Sequence, residues 1–238
     1  MNQKQPKYRR VLLKLSGEAL AKGGDGLINR AFVEEISTVL KRCIAEGVEI
    51  AIIVGAGNIW RGRQGVDMDP TRADSMGMLA TTINALALED AFVHFGIDAH
   101  AMTAVEMPRF AEPYVRDRAV EYLKKGSVVI FGCGLGIPFL STDTAAVVRA
   151  AEIGADIVLM AKNIDAIYTA DPNKDASAVR IEQISCREIL EKQLHALDST
   201  ATAFCMDHGM PVLAFGLSDP ENIYRAVMGE PIGTVITP

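Results

Sequence analysis

Short β-branched runs alternate with longer helical stretches along nearly the whole chain, and few folds accommodate that rhythm. Residues 11–15, 49–54, 127–131, 156–161 and 211–215 read as strands, each apolar enough to be covered on both faces. Between them, residues 30–46, 72–95, 142–153 and 200–208 carry helical periodicity, with shorter helices expected at 116–124, 185–191 and 220–227. Gly47, Gly96, Gly126, Gly154 and Gly209 fall just past expected helix ends, where a left-handed terminating residue belongs. Repeated β-α-β units predict an α/β fold, a three-layer α/β/α sandwich with a mostly parallel central sheet. No repeat, low-complexity tract or interdomain linker interrupts the pattern. A single domain over residues 1–238 is expected, with residues 1–9 as a flexible N-terminal extension.

Composition narrows the function. With 49% hydrophobic residues the chain can bury a sizeable core. A net charge of −6 argues against a dedicated nucleic-acid surface, while leaving room for a local basic pocket. No uninterrupted apolar run approaches the roughly eighteen residues of a membrane span, and the apolar stretch after the basic N-terminus is too short for a signal peptide. Cys43, Cys133, Cys186 and Cys205 are far apart, without CxxC or zinc spacing. They read as reduced, buried thiols in a cytoplasmic protein, and no protein-held metal site is expected.

In a parallel sheet, ligands sit at the carboxyl ends of the strands. The loops there contain Lys14-Leu15-Ser16-Gly17-Glu18, Gly55-Ala56-Gly57-Asn58-Ile59-Trp60-Arg61-Gly62, Gly132-Cys133-Gly134-Leu135-Gly136-Ile137-Pro138 running into Ser141-Thr142-Asp143, and Lys162-Asn163-Ile164-Asp165. Glycine-rich turns let backbone N–H groups approach an anion closely. Each loop alone is a weak signal, since most such turns are only tight turns. A Rossmann fingerprint fails because Trp60 stands where a third small residue belongs, and no Gly-Lys dipeptide exists to form a Walker A loop.

The charged residues each admit two readings. Lys14 interrupts an apolar strand, which suits either a snorkelling edge lysine or a phosphate ligand. Arg61, beside Trp60, is a surface arginine or a planar fork for a phosphoryl group. Asp143 and Asp74 lie at helix starts, where capping is the ordinary role of aspartate. The alternative for Asp143 is to orient lysines or a metal ion near a transferred phosphate. Asp171-Pro172 is a turn or part of a nucleotide pocket. His94, His100, His195 and His208 sit where packing or surface roles are ordinary, and neither HExxH nor GxSxG occurs. Phosphoryl transfer to an anionic acceptor needs positioning and charge neutralisation more than a general base.

Taken together, Lys14–Glu18, Gly55–Gly62, Asp74-Ser75-Met76-Gly77-Met78-Leu79-Ala80-Thr81, Ser141-Thr142-Asp143-Thr144-Ala145-Ala146 and Thr169-Ala170-Asp171-Pro172 resemble the bacterial uridylate (UMP) kinases of the amino acid kinase family. The resemblance runs in order from about Arg10 to Thr237. It implies phosphoryl transfer from ATP to UMP, with Mg2+, in pyrimidine nucleotide synthesis. It further implies that Lys14, Arg61 and Asp143 are catalytic, and that Lys14, Ser16, Gly17, Gly57, Arg61, Lys162, Tyr168 and Asp171 bind ATP. Ala56, Asp74 and the segment Leu135, Gly136, Ile137, Pro138, Phe139, Leu140, Ser141 and Thr142 would bind UMP. A homohexamer, activation by GTP through Gly23, Gly24, Asp25 and Gly26, and inhibition by UTP follow from the same resemblance. Leu135 and Ile137 depart from it, standing where many members carry Thr and Asn. So do Ala56, in place of a glycine, and Glu89, Val93 and His100, at positions that are Arg, His and Arg in some GTP-regulated members. A kinase for another small acceptor, such as acetylglutamate, carbamate or an aspartate-type carboxylate, is the nearest rival. A non-catalytic nucleotide sensor is the rival from another class.

Overall fold

The computed structural model describes residues 5–24, 26–60, 67–170, 172, 174–175, 177–194 and 196–238. Its elements follow the chain as β1 (Arg10–Leu15), α1 (Gly17–Ala21), α2 (Arg30–Ala45), β2 (Glu49–Val54), α3 (Pro70–His94), β3 (Ala99–Thr103), β4 (Glu112–Pro113), α4 (Arg116–Lys124), β5 (Val128–Gly132), α5 (Thr142–Ile153), β6 (Ile157–Lys162), β7 (Ile167–Tyr168), β8 (Arg180–Ile181), β9 (Gln183–Ser185), α6 (Cys186–Glu191), α7 (Ser199–His208), β10 (Val212–Gly216), α8 (Glu221–Val227) and β11 (Thr234–Thr237). Nine strands form one sheet in the order β4-β3-β5-β2-β1-β6-β10-β11-β9, and β7 with β8 makes a small separate ribbon. Every pairing in the large sheet is parallel except β10 with β11.

Alternate residues of the central strands feed two cores, as the period of two requires. Leu13, Leu15, Ile50, Ile52 and Val54 pack on one side with buried residues of α2, α3 and α8. Leu12, Ala51, Ile53, Val129 and Phe131 pack on the other with α4, α5, α6 and α7. This is the expected three-layer sandwich, and Lys14 shares the second face with Leu12.

The expected strands and helices are present, with ends shifted by a residue or two. Six of the β-elements were not anticipated: β3, β4, β7, β8, β9 and β11 are absent from the expected list. β3 reads Ala-His-Ala-Met-Thr, with β-branching only at its last residue, and becomes a strand because β5 and β4 flank it. Among the described residues, α3 is the one helix long and apolar enough to cross a bilayer by length and composition. Its polar Thr81, Thr82 and Asn84 are buried along with Ala85, Leu88 and Phe92, and Ala85, Leu88 and Phe92 join the first core.

Candidate active site

β1 lies between β2 and β6, so the chain turns to opposite sides of it and the loops after β1, β2, β5 and β6 converge at their carboxyl ends. A cleft of about 470 Å³ opens there, lined by Glu18, Ala21, Lys22, Asn58 and Asn163.

Lys14 crosses from β1 to the first turn of α5, where its Nζ lies 3.0 Å from Asp143 Oδ1. Neither plain reading of these two residues describes what is seen. Lys14 does not snorkel to open water, since its side chain is only 15% exposed. Asp143 does not cap α5, because Ser141 does so, its Oγ accepting from the N–H groups of Asp143 at 3.0 Å and Thr144 at 3.1 Å. The Asp143 carboxylate is thereby left to face cations. Burial pushes its pKa up, but Lys14 and Lys162 outweigh burial and hold it below the usual carboxylate range. Burial drags the Lys162 ammonium below its ordinary value; attraction by Asp143 opposes this and repulsion by Lys14 adds to it. Lys162 also donates to the Ala196 carbonyl. Two lysines and one aspartate thus form a compact charge cluster at the ends of β1 and β6.

The glycine turns pack tightly beside it. A Cβ on Gly17 would fall 2.2 Å from Asn58 Oδ1, 2.8 Å from the Gly55 carbonyl and 2.9 Å from the Gly57 nitrogen. One on Gly57 would meet the Glu18 carboxylate at 2.8 Å. The turns after β1 and β2 therefore touch backbone to backbone, which only glycine permits. Ser16 is the N-cap of α1, its Oγ accepting from Ala19 N at 3.1 Å.

Asp74 is likewise no cap. Asp69 caps α3, and Asp74 lies in the helix and accepts from the Phe139 N–H at 2.7 Å. This bond brings the 135–142 segment onto α3. The loop after β5 is strained: Cys133, just ahead of that segment, and Phe139 within it adopt left-handed backbone with φ of 63° and 68°. The Cys133 N–H donates to Thr81 Oγ1, a second tie to α3. Ile137, Phe139 and Leu140 are exposed, Leu135 and Pro138 half-buried, and Gly136 has a positive φ. Thr142 opens α5, and Ala56 belongs to the turn after β2.

Tyr168, on β7, donates to Asp165 Oδ1 at 3.0 Å, and that bond raises its pKa although the hydroxyl is exposed. Gly23, Gly24 and Gly26 lie in the loop between α1 and α2. Arg61, Asp171 and Asp25 lie outside the described residues.

Two groups of residues had no place in the sequence reading. Asp198 caps α7 through Ala201 N and also accepts from the hydroxyls of Ser141 and Thr144, tying the start of α5 to the start of α7. The run Asp198-Ser199-Thr200 ahead of a helical stretch carries the capping signal. Asn84, buried in α3, bonds Asn58 and the Gly55 carbonyl. No local pattern marks that contact.

A mostly parallel sheet whose strand ends gather lysines, a depressed aspartate and close-packed glycine turns defines an α/β protein with a charged strand-end site and no Walker A loop in its sequence. The amino acid kinase family model matches residues 9–215. Similar solved structures include the UMP kinase of Bacillus anthracis, at 35% identity and TM-score 0.92, covering 97% of this chain and 96% of that one. The UMP kinase of Ureaplasma parvum matches at 30% identity and TM-score 0.91, covering 98% and 100%. The uridylate kinase of Archaeoglobus fulgidus matches at 28% and 0.72, covering 95% and 99%. The chain belongs to the amino acid kinase family.

Proposed function

We propose that this protein is an ATP:UMP phosphotransferase, moving the γ-phosphoryl group of ATP to the UMP phosphate to yield ADP and UDP for pyrimidine nucleotide synthesis. The observation that carries the reading is the cluster of Lys14, Lys162 and Asp143 at the ends of β1 and β6. Full-length similarity to UMP kinases supplies the acceptor. Lys14 and Lys162 would neutralise charge on the transferred group, and Asp143 would hold them in place without itself taking a proton. The acceptor is a phosphate oxygen that is already anionic, so no general base is required. The γ-phosphorus–oxygen bond to ADP breaks as the bond to the UMP oxygen forms.

Ser16, Gly17 and Gly57 with Arg61 would complete the ATP phosphate site, Tyr168 and Asp171 the adenosine side. Ala56, Asp74 and residues 135–142 would hold UMP, Asp74 through the ribose. Magnesium would arrive with ATP. Among the described residues no three His, Cys, Asp or Glu side chains converge to hold a metal, and the triphosphate oxygens are the hard ligands this cation prefers.

The apolar Met76, Leu79 and Ile83 are exposed on α3, which supports assembly into a homo-oligomer, a hexamer in our reading. Activation by GTP through the Gly23–Gly26 loop, inhibition by UTP, a single 1–238 domain and a cytoplasmic location complete the proposal.

ADP release from MgATP, compared across UMP, CMP, AMP, dTMP and acetylglutamate, tests it. Turnover confined to UMP is expected. Comparable turnover with CMP would trace relaxed base recognition to Leu135 and Ile137. Nucleotide binding without turnover would replace the enzyme by a sensor.

A further inference from the structure

Asn84 has no exposed surface and sits in the interior of a helix, where a primary amide is costly unless all its polar atoms are satisfied. Its Nδ2 donates to the Gly55 carbonyl and to Asn58 Oδ1, each at 2.8 Å. Its Oδ1 accepts from Asn58 Nδ2 at 3.0 Å. The second N–H of Asn58 goes to the Leu27 carbonyl at 2.8 Å. Each amide faces a backbone carbonyl, which can only accept, so both orientations are dictated by their partners. The pair joins three segments: the helix α3, the glycine turn after β2, and the loop that leads into α2.

Asn58 also reaches the cleft. It lines it beside Glu18 and Asn163, and it lies where any side chain on Gly17 would have to go. A shift of Asn58 therefore moves the wall against which the turn after β1 is packed.

We infer that Asn84, acting through Asn58, is a positioning residue that fixes the glycine turns for the ATP polyphosphate. The inference rests on the reading of this site as an ATP site. Asn84 itself touches no reacting atom. Its work is to hold backbone donors in place before the nucleotide arrives, since preorganised donors need no reorganisation during transfer. The amide pair suits this better than an apolar contact, because its bonds have direction and set the turn's position along the helix.

The test uses the full-length protein with Asn84→Ala, Asn84→Asp, Asn58→Ala and the Asn58/Asn84 double alanine variant. Asn84→Asp keeps the shape but loses both donors and sets a carboxylate against the Gly55 carbonyl. Binding of a non-hydrolysable ATP analogue and of UMP is measured by calorimetry, beside steady-state kinetics and melting temperature. Analogue affinity and kcat/KM for ATP are expected to fall about tenfold to a hundredfold, as small misplacements remote from the chemistry do. UMP binding, which in this reading touches the same turn only through Ala56, is expected to fall less than analogue binding, and the double variant to be no worse than the poorer single one.

Variants that melt lower yet bind the analogue normally would overturn the inference, as would equal losses for ATP and UMP. If Asn84 variants do not fold, Asn58→Ala at the exposed end of the pair decides by the same criteria. A wild type that binds the analogue without turning over UMP would sink the proposed function while leaving the binding measurements to judge the pair.

Discussion

The Lys14 ammonium lies 3.0 Å from Oδ1 of Asp143, joining the end of a central strand to the first turn of α5. Both side chains are more than four-fifths buried, so each charge depends on the other and on Lys162. Lys14→Ala and Asp143→Asn are each expected to lower kcat by about a hundredfold or more, the scale of losing a charge-stabilising group. Circular dichroism should show the fold retained. Wild-type-like turnover in both variants would remove the cluster from the mechanism.

The same cluster sets a pH dependence with opposite signs for its members. The folded pKa of Asp143 is below its unfolded value near 3.8, so its contribution to stability is present above that pH and lost as pH falls through the folded pKa. In Lys14→Ala, burial persists while one attraction is gone, and the acid transition in urea unfolding should move to higher pH. Lys162 is lowered from 10.5, so the native protein binds fewer protons than the unfolded chain in the alkaline window between the two values. Stability referenced to Lys162→Met should rise with pH there, while turnover falls as the ammonium discharges. Parallel alkaline profiles for wild type and Lys162→Met would count against this.

Gly17→Ala tests the contact of the two glycine turns. The added methyl would meet the Gly55 carbonyl at 2.8 Å and the Gly57 nitrogen at 2.9 Å, backbone atoms that cannot rotate away. Overpacking of this kind costs about 1–3 kcal/mol. The ATP Michaelis constant should rise as well, because the turn must open to admit the methyl. An unchanged urea midpoint together with an unchanged Michaelis constant would contradict the packing.

Much of this arrangement was legible beforehand because it follows from local pattern. Strands covered on both faces announce themselves as continuous apolar runs, and in a parallel sheet the loops at their carboxyl ends are where ligands gather, so the loops that hold Lys14, Gly17, Gly57 and Lys162 could be singled out from the residues alone, their individual roles following from the family resemblance. What stayed hidden depends on contacts between distant segments. Asp74 and Asp143 look like caps until Asp69 and Ser141 are seen to occupy those positions. The Asn58–Asn84 pair spans two elements, and neither residue stands out in its own stretch. β3 lacks β-branched residues before Thr103 and is a strand only by virtue of its neighbours.

Asp198 is one of those long-range ties, and its removal should be felt in two helices. It accepts from Ala201 N at 2.8 Å as the cap of α7 and from Thr144 Oγ1 at 3.0 Å in the first turn of α5. Asp198→Ala loses a cap and strands the buried Thr144 hydroxyl, a combined cost of roughly 2–4 kcal/mol. Equilibrium urea unfolding with an unchanged m-value is the appropriate check. A loss below about 0.5 kcal/mol, the usual surface value, would mean the tie is dispensable.

The exposed side of α3 carries the last prediction. Leu79 is 53% and Ile83 47% exposed, with Met76 at 39% one turn earlier, so three large apolar groups at helical spacing line one stripe facing away from the sheet. Leaving them in water is unfavourable by about 25 cal/mol for each Å² that a partner could cover. If a second copy covers them, a charge placed there must be desolvated at the contact or break it. Ile83→Asp is expected to shift the protein to smaller species in multi-angle light scattering at micromolar concentration. Ile83 faces solvent while its neighbour Asn84 is fully buried against the glycine turns, so the dissociated variant should still bind an ATP analogue. A wild type that already runs as a monomer, or an Ile83→Asp variant of unchanged mass, would rule this face out as the contact.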